Sequence, residues 1–184
     1  MLDQLIEDAN EALDREPYSV TFNDAVPPSG DKRDYMSFGP YWWPNPDTKD
    51  GRPYIRKDGL VNPESRDDRS DRRTLSGLIH SVETLALAYD FTGSEKYAAK
   101  AAELLRVFFV DETTRMNPNL NFGQAIPGRV DGRGIGIIDT RTLPRVVDSI
   151  GLLSASEHMT DDLRNELRDW FGHYLDWLLT SGHG

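Results

Sequence analysis

The sequence predicts an all-α chain: helical hairpins forming part of an incomplete (α/α) toroid, with two long Gly/Pro-rich loops. Three observations carry that prediction. Apolar residues recur at helical spacing in five separate stretches. Eight of the 11 prolines crowd into Glu16 to Arg69, where long helices cannot form. No β-α alternation, internal repeat or low-complexity tract interrupts the pattern.

The elements follow in order. Leu2, Leu5, Ile6, Ala9 and Leu13 mark an amphipathic first helix over Leu2 to Arg15. The proline-rich stretch comes next, and it holds Phe22, Tyr35, Phe38, Tyr41, Trp42, Trp43, Tyr54 and Ile55. A disordered linker would be poor in aromatics, so this loop is read as ordered and functional. From about Ser70, the stripe Leu75, Leu78, Ile79, Val82, Leu85, Ala86 and Tyr89 marks a second helix stopped by Gly93. Ser94 stands where the next helix needs its N-cap, ahead of Tyr97, Ala98, Ala101, Leu104, Leu105, Phe108 and Phe109. So short a link predicts an antiparallel hairpin. A second irregular stretch runs from Asp111 to about Thr140, with Gly123, Gly128, Gly132, Gly134 and Gly136. A helix over Leu143 to Ser156 then starts with Pro144 in its first turn, where proline is tolerated. Thr160 caps the last helix, and Asp161 and Asp162 suit its positive end. Each hairpin of a toroid needs a neighbour to bury its second face, as solenoid repeats do.

Composition narrows the function. A chain of 184 residues fits one domain that can bury a single core. The absence of cysteine excludes disulfides, thiolate metal sites and a cysteine nucleophile. No apolar run is long enough for a membrane helix, and Met1 to Leu5 lacks the features of a signal peptide. The expectation is a chain that is cytoplasmic, already processed, or part of a longer product. A net charge of −10 argues against nucleic acid as a partner. Asp outnumbers Glu 21 to 10 and Arg outnumbers Lys 16 to 5. That bias is compatible with a high-salt habitat and equally with a GC-rich genome.

Three motifs carry chemistry. In Pro40-Tyr41-Trp42-Trp43-Pro44-Asn45-Pro46, three adjacent aromatics between prolines cannot all turn inward. Flat rings on a rigid loop offer a platform for sugars or bases, or else they plug the loop onto the helices. In Asp50 to Gly59, Arg52, Arg56 and Lys57 surround Tyr54, while Asp50 and Asp58 compensate charge. In Met116 to Arg129, Asn117, Asn119, Asn121, Gln124 and Arg129 share a Gly/Pro loop, with Arg133, Arg141 and Arg145 beyond. Amides and guanidinium groups hold carboxylates and hydroxyls, though asparagines in such loops also serve their own backbone. No P-loop, His-Glu-x-x-His, EF-hand or Gly-x-Ser-x-Gly pattern occurs. Gly132-Arg133-Gly134-Ile135-Gly136 follows no strand pattern, so it is not read as a dinucleotide loop. His80, His158, His173 and His183 show no metal spacing, and His80 is read as a core or groove histidine.

The runs Asp34 to Pro44, Gly51 to Gly59 and Asn62-Pro63-Glu64 resemble the alginate lyase domain family. So do Leu87 to Gly93, Thr114 to Leu120 and Gln124 to Gly128. The resemblance extends from about Leu5 to Gly184. It implies an (α/α) toroid with a deep groove, a polyuronate substrate such as alginate, no metal or organic cofactor, and export to the periplasm or beyond. The implied reaction is β-elimination: a group neutralises the C5 carboxylate, a base takes the C5 proton, and an acid protonates the departing O4. Gln124 and Arg129 suit the neutralising role. Tyr41 and Tyr54 suit acid or base, provided neighbouring cations depress the phenol. The substrate-binding candidates are Tyr41, Trp42, Trp43, Tyr54, Arg56, Asn119, Asn121, Gln124 and Arg129, with no metal ligand among them.

The resemblance also places an Asn-Asn-His motif after a segment like Trp177 to Gly182, and no Asn-His pair occurs in these residues. The expected organisation is one truncated domain over 1–184: a first helix at 1–15, a lid-like aromatic loop at 16–69, and helical hairpins at 70–184. A missing half, or self-association, would cover apolar faces at Trp170, Phe171, Trp177 and Leu178. Three readings stay open. The first is a polyuronate lyase fragment, incomplete as a catalyst by itself. The second is a non-catalytic carbohydrate-binding module. The third is a glycoside hydrolase, which would need two carboxylates from Asp34, Asp58, Glu64 and Asp139.

Overall fold

The computed structural model describes residues 2–184. α1 (Leu2–Leu13) buries Ala9 and Ala12, small residues that let it lie close against α2 (Arg72–Thr92). α2 buries Leu75, Leu78, Ile79, Val82 and Leu85 along one stripe. It stops at Gly93, whose φ of 65° is a left-handed turn that glycine takes without strain. α3 (Glu95–Phe109) folds straight back and packs on α2 through Leu104, Leu105 and Phe108. Ser94 precedes it in the N-cap position, but its side chain makes no capping bond. α1 is tied to α3 at Asn10, whose Oδ1 accepts from Tyr97 Oη and Lys96 Nζ, each at 3.0 Å.

α4 (Pro144–Leu152) begins on its proline and continues as a 3-10 turn over Leu153–Ala155. α5 (Asp161–Thr180) is capped by Thr160, whose Oγ1 accepts from the Leu163 N–H at 3.2 Å. Leu163, Leu167, Trp170 and Tyr174 face the core. Trp170 is therefore not on an open face. Its ring meets Phe109 edge-on at 4.6 Å, and its indole N–H donates to Met116 O at 2.7 Å. The exposed apolar side chains of α5 are Leu175 and Leu179. An open, mainly apolar cleft of about 510 Å³ runs beside Leu175, between α5, α4 and the 3-10 segment Gly134–Thr140. No helix among the described residues is long and apolar enough to cross a membrane.

The all-α expectation is overturned by two small sheets inside the two predicted loops. β1 (Met36–Phe38) pairs in parallel with β4 (Phe122–Ala125), with an irregular register between Met36↔Phe122 and Phe38↔Ala125. β2 (Trp42–Trp43) pairs antiparallel with β3 (Ile55–Arg56), Trp42 opposite Arg56 and Trp43 opposite Ile55. Strands of two to four residues are too short to show an alternating pattern. A side chain also completes the β1–β4 contact, Ser37 Oγ accepting from Gln124 N–H at 2.8 Å, and Asp71 Oδ2 ties β1 to the start of α2 by accepting from Met36 N–H at 2.8 Å.

The two sheets form one platform. Gly39 N–H donates to Ala125 O at 3.0 Å, Asn62 N–H to Pro40 O at 2.7 Å, and Tyr54 N–H to Pro127 O at 3.0 Å. The segment after β4 packs on it backbone to backbone. A Cβ at Gly132 would fall 1.8 Å from Asn121 O, and one at Gly136 would meet the Gly123 backbone at 2.8 Å. Only glycine permits that approach.

Candidate functional site

β2 sends its two tryptophans to opposite faces, as successive strand residues must go. Trp43 is tied down: its indole N–H donates to Leu60 O at 2.9 Å, and Lys57 Nζ stands 5.3 Å from its ring centre. Trp42 keeps its indole N–H out of any hydrogen bond with the described residues, and Arg129 lies over its ring at 5.3 Å. Arg56 is its partner across the ladder. Tyr41 just before β2 is 42% exposed, and its hydroxyl has no hydrogen-bond partner among the described residues.

Gly39 brings a third cation to Trp42. A Cβ there would lie 2.8 Å from both Arg133 Nη2 and Trp42 Cδ1, so the two side chains meet over this glycine. Arg133 is gripped by Gln124 at both ends of the residue. Arg133 Nε donates to Gln124 O at 2.8 Å, and Nη2 donates to Gln124 Oε1 at 3.0 Å. Gln124 is 5% exposed and carries a φ of 50°, unusual for a residue with a side chain. Behind it lies Asp139, whose Oδ1 accepts from Gln124 Nε2 at 3.3 Å. Asp139 Oδ2 accepts from Ser37 Oγ at 2.6 Å and Tyr35 Oη at 3.2 Å, and Arg72 Nε stands 3.8 Å from Oδ1. Burial, then the neighbouring Arg56 charge, draw the Arg133 guanidinium below its ordinary pKa, with Asp139 offsetting part of the effect.

The other sequence candidates are placed as follows. Tyr54 Oη donates to Glu64 Oε2 at 2.6 Å. Burial first, then that bond and the Glu64 charge, push the phenol up to about 12. The Arg69 and Arg52 charges pull it down but are outweighed, so its surroundings favour a held, protonated donor. Arg129 Nε donates to Tyr54 O at 2.7 Å, which fixes the arginine above Trp42. Asn119 Nδ2 donates to Asp34 Oδ1 at 3.1 Å, and Asn119 Oδ1 accepts from the Asn121 N–H at 3.0 Å. Asn121 Oδ1 accepts from the Trp177 indole N–H at 3.0 Å. The structure thus gathers Trp42, Arg56, Gln124 and Arg129 around one point, with Tyr41 and Tyr54 beside them. It sets Asn119 and Asn121 against Asp34 and α5. His80 is exposed rather than in the core. No group of three or more His, Asp or Glu among the described residues is placed to hold a metal ion.

The alginate lyase family matches residues 19–184. The chain belongs to the alginate lyase family. A crystal structure of an alginate lyase from Bacteroides ovatus is 45% identical, with a TM-score of 0.94. The match covers 98% of this chain and 48% of that one, so the chain spans about half the length of that solved structure. No curated protein matches.

Two members of this site do not stand out in the sequence. Arg133 is there one arginine of a loose cluster, yet it is the one the platform holds. The glycines flanking it are the available signal. Gly132 and Gly136 mark backbone contact with β4, and a Cβ at Gly134 would lie 3.0 Å from His183 O. Asp139 stands out in the sequence only as a hydrolase carboxylate, and it is fully buried as the joint of the network.

Proposed function

We propose that this chain binds a polyuronate such as alginate across the Trp42 cluster and that the protein acts as a polysaccharide lyase by β-elimination. The observation that carries the reading is the set of Arg56, Arg129 and Arg133 around one indole, on a chain with a net charge of −10. A flat ring suits a sugar face, and clustered guanidinium groups suit its carboxylates. Those cations make a local field that admits a polyanion to an otherwise acidic surface. In the elimination, charge builds on the carboxylate as the C5 proton leaves, and fixed cations stabilise it. Tyr41 is the phenol open to a substrate, and it is the candidate to exchange a proton at O4.

A second reading, binding without cleavage, draws support from Tyr54, whose phenol is committed to Glu64. The hydrolase reading has little to use. Asp34 holds two asparagines, Asp58 pairs with Arg56, Glu64 takes the Tyr54 hydroxyl, and Asp139 is buried.

The test is to mix the protein with alginate, polymannuronate, polyguluronate and polygalacturonate. Binding is read by calorimetry, and elimination by the ultraviolet absorbance of unsaturated uronate. Unsaturated product supports the lyase. Salt-sensitive binding with no product supports the binding module. No binding to any of them sinks both.

A further inference from the structure

We infer that Arg133 is the carboxylate-binding residue of the Trp42 cluster, held in place by Gln124, which Asp139 holds in turn. The inference rests on the polyuronate reading and adds a site to it. Among the described residues, no carboxylate lies within ion-pair distance of Arg133, although it is half-buried. Such a cation, beside Arg56 and beneath the edge of Trp42, lacks the anion that its neighbourhood calls for.

The geometry says which atoms are free to bind. Nε–H and one Nη2–H are spent on Gln124. Both Nη1 hydrogens and the second Nη2 hydrogen remain, and these form the end-on fork that grips a carboxylate with two parallel bonds. A guanidinium so held loses little freedom on binding. The two bonds that Gln124 accepts need its backbone carbonyl and its side-chain oxygen on the same side. Its φ of 50° belongs to that arrangement, and strain of this kind persists only where the surroundings impose it. Ser37 on the Gln124 N–H and Asp139 on its amide impose it here. Gln124 and Asp139 are thus positioning residues, and Arg133 touches the substrate. Trp42, meeting Arg133 over Gly39, would take the ring of the same sugar.

The experiment compares an oligouronate with its carboxyl-reduced, neutral counterpart by calorimetry on the whole chain. Wild type should bind the acid more tightly. Arg133→Gln should weaken the acid at least tenfold and leave the neutral form unchanged. Arg133→Lys, which keeps the charge and loses the fork, should fall between them. Arg106→Gln, on α3 with Glu166 as its partner, should change neither. Asp139→Asn should lower the ratio of acid to neutral affinity, which a loss of fold alone would not select. Should Arg133→Gln fail to fold, Arg133→Lys carries the test, and it too should weaken the acid selectively. Wild-type preference for the acid that survives undiminished in Arg133→Gln, or in Arg133→Lys where the glutamine variant does not fold, overturns the assignment and leaves the polyuronate reading standing. Equal binding of the acid and neutral forms by wild type also overturns it. If wild type binds neither, the polyuronate reading itself fails and takes this site with it.

Discussion

Ser37 Oγ donates to Asp139 Oδ2 across 2.6 Å, joining residues 102 positions apart. That bond fastens β1 to the 3-10 segment Gly134–Thr140, and the Gln124 and Tyr35 bonds, with Arg72 Nε at 3.8 Å, make Asp139 the joint between the β1–β4 sheet and α2. Tyr35 is fully buried, and burial followed by the Asp139 charge drives its phenol well above the ordinary value, so it remains a donor.

The first prediction concerns this joint. Asp139→Ala removes the acceptor for three buried donors and leaves them dry. The expected loss is about 3 kcal/mol or more of unfolding free energy, read by denaturant titration. Asp139→Asn keeps two acceptor lone pairs but turns N–H groups on donors, so it should cost less than the alanine variant. A loss below about 1 kcal/mol in Asp139→Ala would show that the sheets hold without this carboxylate.

Trp42→Ala should separate binding from folding. The indole is half-buried and the strand around it is fixed by backbone atoms, with Asn62 Nδ2 donating to Trp42 O at 2.8 Å. Truncation keeps that bond and removes the ring that Arg129 and Arg133 flank. Oligouronate affinity should fall about tenfold or more while the melting temperature moves little. A large fall in melting temperature with unchanged affinity would assign the ring to packing instead.

What the sequence made legible was what has a period. The helical stripes, the Gly93 stop and the Thr160 cap all rest on rules local to one element, and each appears where those rules place it. The sheets were invisible because β1 takes its partner from β4, more than 80 residues on, and two-residue strands carry no pattern. At the site, types were readable and assignments were not. Arginines and amides in a Gly/Pro loop announced anion chemistry. Which arginine faces Trp42 depends on Gly39 and on the turn at Gln124, and neither fact lies in the residues next to Arg133. Trp170 shows the same limit: its helix offers an apolar face, and only the Phe109 ring and Met116 carbonyl opposite show that this face is covered.

Tyr54→Phe should alter the alkaline limb of stability. The phenol's pKa in the folded chain is about 12 against an ordinary 10.0, because burial and Glu64 favour the protonated form. A raised value means that the bond's contribution is fully present below pH 10 and is lost as the pH rises from 10 through about 12. At neutral pH the variant should lose about 1 kcal/mol, the net worth of one hydrogen bond. Between pH 10 and 12 the gap between wild type and variant should close. Parallel stability curves across that window would contradict the Glu64 pairing.

Asp71 makes the opposite end of the pH range informative. It lies at the N-terminus of α2, 4% exposed. Its carboxylate accepts from Met36 N–H at 2.8 Å and from Asn23 Nδ2 at 2.7 Å. Those two bonds favour the charged form, yet burial outweighs them and the pKa rises from 3.8 to about 6. The folded chain therefore binds a proton here more tightly than the unfolded chain does. Its stabilising effect is full below pH 3.8 and lost as the pH climbs through about 6. Asp31 runs the other way. Its bonds to Arg33 hold it far below the usual carboxylate range, so its contribution is present above pH 3.8 and is lost on acidification. The raw stability curve mixes the two, and a single-site comparison separates them. Asp71→Asn removes the first effect and leaves the second. Subtracting the variant's unfolding free energy from that of wild type should give a curve that falls as the pH rises from 4 to 7, by on the order of 3 kcal/mol. A flat difference would mean that the two donors balance burial and leave the carboxyl near its ordinary value of 3.8. A difference that rises with pH would mean that the donors outweigh burial and hold the charged form.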